Sequence, residues 1–249
     1  MRNQIDTIPV TEAFEAADEC PFCFMERKAE QSTIRFVVGP SASYMEPDVR
    51  GATDKLGFCR EHTKKLYDYG NSLGAALILQ TYFAGVLEEF QAQAGDLAPG
   101  KKNLFGKRTA ATDNSYLNRL QHKVDSCFIC DRMDYHMQRY LHTFFHMLKD
   151  AQFRSQVEAG KGFCLRHFAL LMDAAQTMLP NNHYDWFYKT IPAVTEKNLF
   201  RVKGDLDWFI AKFDYRNAGA DWKNSKDALS RTMQKLEGLY PADPPYKKD

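Results

Sequence analysis

The chain has 249 residues, of which 33 are basic and 32 acidic, so its formal charge at pH 7 is +1. This length can bury a sizeable core, either as one large domain or as two small ones. The near-zero charge argues against a surface for nucleic acid or for anionic membranes, because both need an excess of basic residues. We therefore expect neither nucleic acid nor a membrane as a partner.

The N-terminal region shows no secretory pattern, because residues 1–19 contain no apolar core flanked by basic residues. The longest uninterrupted apolar run, Ala75–Leu79, is far too short to span a bilayer. We expect a soluble cytoplasmic protein. In a reducing compartment, paired cysteines at fixed spacing favour metal ligation over disulfide formation.

Helical patterns follow one another along the chain, and no segment alternates as a strand would, so the predicted fold class is all-α. A short acidic helix is predicted over 11–19, and a longer helix ends at Gly39. After a long loop over 39–57, a helix runs from Gly57 to about Gly70. The next helix carries an apolar stripe that we interpret as core-facing: Leu73, Ala76, Leu77, Phe83, Leu87 and Phe90.

The second half repeats this order, with a long loop over 150–162 and a break at Pro180. Two related metal-bound helical units plus C-terminal helices are the simplest account. The predicted regions are a first unit (1–93), a linker (94–115), a second unit (116–182), C-terminal aromatic-rich helices that pack on the units (183–238) and a disordered tail (239–249).

All six cysteines fall into two similar sets. In each set a C-x-x-C pair is followed by Gly-Phe-Cys-x-x-His, with 35 residues between Cys23 and Cys59 and 33 between Cys130 and Cys164. Three thiols and one imidazole are the ligand set of a closed, tetrahedral, structural zinc site. The eight candidate ligands are Cys20, Cys23, Cys59 and His62 in the first half and Cys127, Cys130, Cys164 and His167 in the second.

These ligands predict two Zn²⁺ ions per chain. The simplest assignment places one metal in each half, although the C-x-x-H pairs could be exchanged between the halves. Four protein ligands leave no position for water, so catalysis at the metal is not expected. Each ion would instead stabilise the fold, by on the order of 10 kcal/mol, and chelation would remove that stabilisation.

Three other readings of the cysteines stay open. Cys20-Pro21-Phe22-Cys23 is similar to a glutaredoxin active site, but an acidic helix stands where that fold needs a strand. Thiolates also suit an iron–sulfur cluster. A redox or metal sensor would release zinc on oxidation, with disulfides Cys20–Cys23 or Cys127–Cys130.

An enzyme is a weaker alternative, based on three histidines of one helix. His142 and His146 are four residues apart and share a face of the predicted helix, and His136 lies six residues before His142. No carboxylate accompanies them at fixed spacing, as it would in a metalloprotease helix. This hypothesis requires the three imidazoles to converge in a pocket.

The paired motifs, together with Phe213-Asp214-Tyr215-Arg216, resemble an uncharacterised prokaryotic family catalogued as domain of unknown function 6062. The resemblance covers roughly residues 15–238 and includes all eight candidate ligands. It implies a cytoplasmic helical protein with metal sites and supplies no substrate or catalytic residue. The function we expect is therefore a zinc-stabilised scaffold for a protein partner, which we would place on the aromatic-rich helices over 183–214.

Overall fold

The computed structural model describes residues 2–93 and 115–238, and these residues contain helices and turns but no strand. The all-α prediction is confirmed. The predicted tail lies outside the described residues, and so does the predicted linker except for Ser115. The α-helices of the described part are α1 (Arg2–Glu15), α2 (Pro21–Val38), α3 (Pro47–Leu56), α4 (Arg60–Tyr69), α5 (Ser72–Gln93), α6 (Ser115–Asp125), α7 (Phe128–Met147), α8 (Ala151–Ala159), α9 (Leu165–Met178), α10 (Tyr184–Ala211) and α11 (Ala228–Glu237).

The chain forms two compact units, and the boundaries between them fall inside α2 and α7. The described part of unit 1 comprises residues 2–29 and 135–238. The described part of unit 2 comprises residues 30–93 and 115–134. Each unit is therefore assembled from segments of both halves of the chain.

The core of unit 1 is rich in phenylalanine. Phe22, Phe144 and Phe163 are almost completely buried, and their rings meet edge-on or tilted, with the Phe22 and Phe144 centroids 5.5 Å apart. Such aromatic pairs add about 0.5–1.5 kcal/mol each beyond the area that they bury. Cys20 and Cys164 belong to the same cluster, so two candidate ligands are part of this core.

The core of unit 2 is smaller and mostly aliphatic. Ile34 and Val37 from the C-terminal part of α2 pack with Ile78 of α5 and with Ile129 at the start of α7. Cys127 lies in the same cluster. A core of this size gains proportionally more from a bound metal than the larger core of unit 1.

The two segments predicted as long loops each contain a helix. Pro47 occupies the first position of α3, where its fixed φ suits a helix start and its missing N–H costs nothing. Asp150 caps α8, because its carboxylate accepts a hydrogen bond of 2.9 Å from the backbone N–H of Gln152. Both start signals are visible in the sequence, so these helices were predictable.

The apolar stripe on α5 is not core-facing, and this prediction is wrong. Leu73, Phe83, Leu87 and Phe90 are 67%, 62%, 44% and 50% exposed, whereas Ile78 on the opposite side is buried. Helix α5 is also long and apolar enough to cross a membrane by length and composition alone, which is weak evidence for a single helix. The uninterrupted run Ala75–Leu79 is too short to indicate this property, which depends on the mean hydropathy of a longer window.

Helix α11 reverses the usual arrangement of an amphipathic helix. Its apolar side chains Leu229, Met233 and Leu236 are exposed, whereas Arg231 and Lys235 are buried in unit 1. Buried charges are tolerated only when they are paired, so polar contacts must hold much of the buried side of this helix.

Candidate metal centres

Each C-x-x-H motif begins at a glycine with a left-handed backbone. Gly57 has φ +61° and Gly162 has φ +70°, a conformation that residues with a Cβ rarely adopt. The following cysteines, Cys59 and Cys164, are the N-cap residues of α4 and α9. A thiolate there lies at the positive end of the helix dipole, which favours the deprotonated form that binds metal.

The structure groups the eight candidate ligands into two sets of four, and each set combines motifs from both halves of the chain. Centre A, in unit 1, consists of Cys20, Cys23, Cys164 and His167. Centre B, in unit 2, consists of Cys59, His62, Cys127 and Cys130. The simplest assignment, one metal per half, is therefore wrong, and the exchange of the C-x-x-H pairs that the sequence left open is what the fold adopts.

The spacing of the ligand atoms fits a tetrahedral metal. In centre A, Nδ1 of His167 lies 3.6, 3.4 and 3.2 Å from the sulfurs of Cys20, Cys23 and Cys164. Tetrahedral coordination at zinc-like bond lengths places sulfur and nitrogen about 3.6 Å apart and two sulfurs about 3.8 Å apart. The sulfurs of Cys23 and Cys164 are 3.6 Å apart, close to that value.

Centre B has the same geometry. Nδ1 of His62 lies 3.2, 3.3 and 3.3 Å from the sulfurs of Cys59, Cys127 and Cys130, and the sulfurs of Cys59 and Cys130 are 4.0 Å apart. In both centres the histidine therefore presents Nδ1 to the sulfurs, which leaves Nε2 for a partner outside the ligand set.

That partner is a carboxylate in both centres. Nε2 of His62 lies 3.0 Å from Oε1 of Glu30, and Nε2 of His167 lies 3.7 Å from Oε2 of Glu26. Glu30 is within hydrogen-bond distance, and a carboxylate that accepts the Nε2 proton orients the imidazole so that Nδ1 can bind metal. The Glu26 contact is too long for a hydrogen bond and is an electrostatic contact only. The two glutamates are four residues apart on α2 and share a face of that helix, but this spacing is common on exposed helix faces and does not identify them in the sequence.

Protonation in centre B shows how the ligands interact without a cation. Burial lowers the pKa of His62, but hydrogen bonds with Cys127 and Glu30 outweigh it and raise that pKa to about 10. Burial raises the pKa of Cys127, but the hydrogen bond with His62 lowers it to about 6. Burial and the neighbouring thiolates raise the pKa of Cys130. Ionisation of one thiol thus makes ionisation of the next less favourable, because the thiolates repel each other. A bound cation would relieve this repulsion.

The thiols of centre A also differ in pKa, with one lowered and another raised. Hydrogen bonds with Cys20 and Cys23 lower the pKa of the Cys164 thiol to about 3, and the hydrogen bond with Cys164 raises the pKa of Cys23. A buried set of three thiols with one dominant thiolate is a site that fits a divalent ion.

The centres differ in their access to solvent. The cysteines of centre A are completely buried, and His167 is almost so. In centre B, Cys127 and His62 are buried, but Cys59 and Cys130 are half-buried. Centre B is therefore more accessible to a reagent in solution than centre A.

A family model described as a family of unknown function, DUF6062, matches residues 1–243. The chain belongs to this family. No curated protein and no solved structure matches it. Membership in DUF6062 confirms the resemblance seen in the motifs but brings no activity with it, so a proposal for function depends on the geometry of this chain.

The three histidines of α7 do not converge. His142 and His146 are exposed, and His136 stacks on Tyr140 with the ring centroids 6.1 Å apart. None of them belongs to a group of candidate metal ligands within the described residues. The enzyme hypothesis built on this helix required a common pocket, and the structure contradicts that requirement.

The residues that surround centre A were not predicted from the sequence. Asp18 accepts the backbone N–H of Cys20 at 3.0 Å and bonds to Gln234 of α11 at 2.6 Å. Lys235 donates to the backbone carbonyl of Glu19 at 2.5 Å. At the end of α11, a Cβ on Gly238 would lie 3.5 Å from the Cys164 sulfur. The buried polar face of α11 therefore holds the segment that leads into centre A.

Proposed function

We propose that the protein is a non-enzymatic scaffold in which two structural Zn²⁺ ions organise a docking surface for a helix of another protein. The observation that carries the proposal is the pair of four-ligand sets, because each has three sulfurs and one Nδ1 at tetrahedral spacing. Four protein ligands saturate zinc and leave it no position for a substrate.

The candidate docking surface is an apolar groove in unit 1, with a volume of about 480 Å³. It lies where α10 and α11 meet the start of α9, and it includes Leu165, Leu199, Phe200, Leu206 and Leu236. The exposed apolar face of α11 borders it. A groove of this kind suits the apolar side of an amphipathic helix. Glu196 and Lys203 also line it, and Lys203 pairs with the exposed Asp207 at 2.7 Å.

Centre A and this groove are adjacent, because Leu165 directly follows the ligand Cys164 and α11 ends against its sulfur. Loss of the metal would release the start of α9 and the segment before Cys20, to which α11 is bonded. We therefore expect zinc to be required for docking as well as for stability.

The first test is the metal content of protein purified without chelator or added metal, followed by thermal melts with and without a strong chelator. We expect about two zinc per chain and a melt that collapses on chelation. Iron with sulfide, or metal-free protein with disulfides, would contradict the proposal at its first step.

The second test uses a matched pair of substitutions on α10 in a proximity-labelling experiment. Phe200→Asp places a charge in the groove, and Ile210→Asp places the same charge on a similarly exposed residue that is not among the groove residues. A partner of this surface should be labelled by the wild type and by Ile210→Asp, and lost with Phe200→Asp. Labelling that is identical in all three proteins would overturn the groove assignment.

A sensor that releases zinc on oxidation is the second candidate, and the partial exposure of Cys59 and Cys130 favours it. Mild peroxide should then release one zinc per chain and form a disulfide among the cysteines of centre B, while Cys20, Cys23 and Cys164 stay reduced. Zinc release can be followed with a chromophoric indicator and the disulfide located by peptide mass spectrometry. Retention of both metals under peroxide would rule this candidate out.

A further inference from the structure

Helix α5 has two faces, and only one of them packs on unit 2. On the inner face Gly74 and Ile78 are buried, Thr81 Oγ1 donates to Asp54 at 2.7 Å, and Glu89 pairs with Lys123 at 2.9 Å. At 3.6 residues per turn, the exposed apolar side chains point roughly 180° away from this face. The helix is thus already anchored by the side opposite its exposed stripe.

The exposed stripe has the spacing of a coiled-coil seam. Its positions recur at alternating intervals of three and four residues: Leu73, Ala76, Gln80, Phe83, Leu87 and Phe90. All six side chains are exposed. Three-four alternation of apolar residues is the pattern by which one helix packs along another. It is not expected on the solvent-facing side of a helix in a monomer. We call these six positions the α5 seam.

We propose that the α5 seam is a dimer interface, and that its occupant is the α5 seam of a second copy of this chain. The seam and its flanks lack charge, because the only charged residues of α5 are Glu88 and Glu89. No charge pattern therefore selects a different partner or repels an identical one. This inference is independent of the groove in unit 1 and of its partner.

Gln80 and the available area both fit a second copy. In a parallel pair Gln80 faces its own equivalent, and an amide can donate to and accept from an identical amide. A single polar residue at such a position sets the register of a pair at some cost in stability. The seam side chains expose roughly 500–600 Å² on one copy, so two copies would bury roughly 1,000–1,200 Å², the lower end of specific interfaces.

The test measures mass by analytical ultracentrifugation over a concentration series, using metal-loaded protein. The chain has a mass of 28.7 kDa, and we expect a reversible dimer of twice that mass. Phe83→Glu should weaken dimerisation by ~100-fold or more, because it buries a charge from each copy. Ala92→Glu is the matched control, since it adds the same charge to α5 outside the seam, and it should leave the dimer unchanged.

Gln80→Leu tests the seam in the opposite direction and does not depend on the folding of Phe83→Glu. Removing the polar residue from an apolar seam should tighten the pair by ~10-fold or more. Wild-type protein that is monomeric at every concentration would overturn the proposal. So would a dimer that Phe83→Glu leaves intact, or one that Ala92→Glu disrupts equally.

A lipid surface is the other occupant that the composition of α5 allows, and the same proteins distinguish it. Flotation with phosphatidylcholine vesicles should leave the wild type at the bottom of the gradient. A monomer that floats with the vesicles, and that fails to float as Phe83→Glu, would overturn the dimer and assign the seam to lipid.

Discussion

At the scale of single residues, the carboxylate of Glu30 orients the histidine ligand of centre B for metal binding. Burial raises the pKa of Glu30, but hydrogen bonds with His62 and Lys65 outweigh it and lower that pKa below its usual value. Glu30 is therefore ionised at neutral pH and holds the Nε2 proton of His62. Metal binding then has to displace only the Nδ1 proton, and the bond to Glu30 keeps the ring oriented with Nδ1 toward the sulfurs.

Glu30→Gln is expected to weaken metal binding at centre B by about 10–100-fold, because an amide is a poorer acceptor for the Nε2 proton. Competition with a chromophoric chelator measures the affinity. Glu61→Gln is the control, since the exposed Glu61 pairs with the same lysine, Lys65, at 2.7 Å, whereas the Nε2 atom of His62 bonds to Glu30. Equal losses in the two variants would show that only the charge of the neighbourhood matters.

A second prediction at this scale concerns the glycine that opens the C-x-x-H motif of centre A. Gly162 has φ +70°, and a Cβ there would lie 2.8 Å from the Cα of Thr195 in α10. Gly162→Ala should therefore lower the free energy of unfolding by about 2 kcal/mol or more. Urea denaturation of the metal-loaded protein measures this change.

Gly51→Ala is the appropriate comparison for that variant. Gly51 lies inside α3, and nothing stands within 4 Å of an added Cβ. Alanine should stabilise the helix there by about 0.5–1 kcal/mol. If both variants behave alike, the left-handed turn is not what Gly162 provides.

At the scale of the element, α11 shows that a helix can be held by its polar side. Arg231 lies 2.9 Å from Asp205 and 2.9 Å from Asp227, and Lys235 donates to two backbone carbonyls at 2.5 Å. Removing one member of such a set leaves buried charge without a partner. The large apolar side chains of the same helix, Leu229, Met233 and Leu236, meet solvent, so they contribute little to folding.

Arg231→Ala should therefore cost about 3 kcal/mol of unfolding free energy, since Asp205 and Glu19 would lose a buried partner. Leu229→Ser on the outer face should change that free energy by less than about 0.5 kcal/mol. Denaturant midpoints of the two variants give the comparison. The opposite ranking would mean that α11 is held by its apolar side chains.

The helices themselves were largely predictable, because their start and stop signals are local. Gly70 ends α4 and Pro180 follows the end of α9, as the sequence indicated. The direction in which an apolar stripe faces is not determined by local sequence. Leu73, Phe83 and Leu87 have the spacing of a core face and equally that of an interface, so the pattern predicts a buried surface without stating whether it is buried within the chain or by another molecule.

The pairing of the ligands was beyond the sequence for a similar reason. Spacing fixes the geometry inside C-x-x-C and inside C-x-x-H, and either C-x-x-H completes either tetrahedron equally well. What decides the pairing is the long-range packing of α2 and α7. The hydrogen bond between His62 and Glu30 is one contact that depends on this packing. The sequence could not predict it, because nothing distinguishes Glu30 from a surface glutamate of α2.

At the scale of the whole molecule, each unit contains its own metal centre and its own core. Cys20 and Cys164 are members of the phenylalanine cluster of unit 1, and Cys127 is a member of the aliphatic cluster of unit 2. Because the four ligands of each set lie in one unit, a bound metal would join segments of that unit only. Loss of one metal should therefore affect one unit much more than the other.

Single substitutions of cysteine by serine test this expectation by hydrogen exchange with mass spectrometry. Cys130→Ser should remove one zinc and deprotect the amides of α4 in unit 2, while the amides of α9 in unit 1 keep the protection of the wild type. Cys23→Ser should give the reverse pattern, and each variant is the control for the other. Helices α2 and α7 belong to both units, so the comparison uses α4 and α9 only. If either substitution deprotects both helices to the same extent, the two metals stabilise one cooperative structure, and the description of two separately stabilised units is wrong.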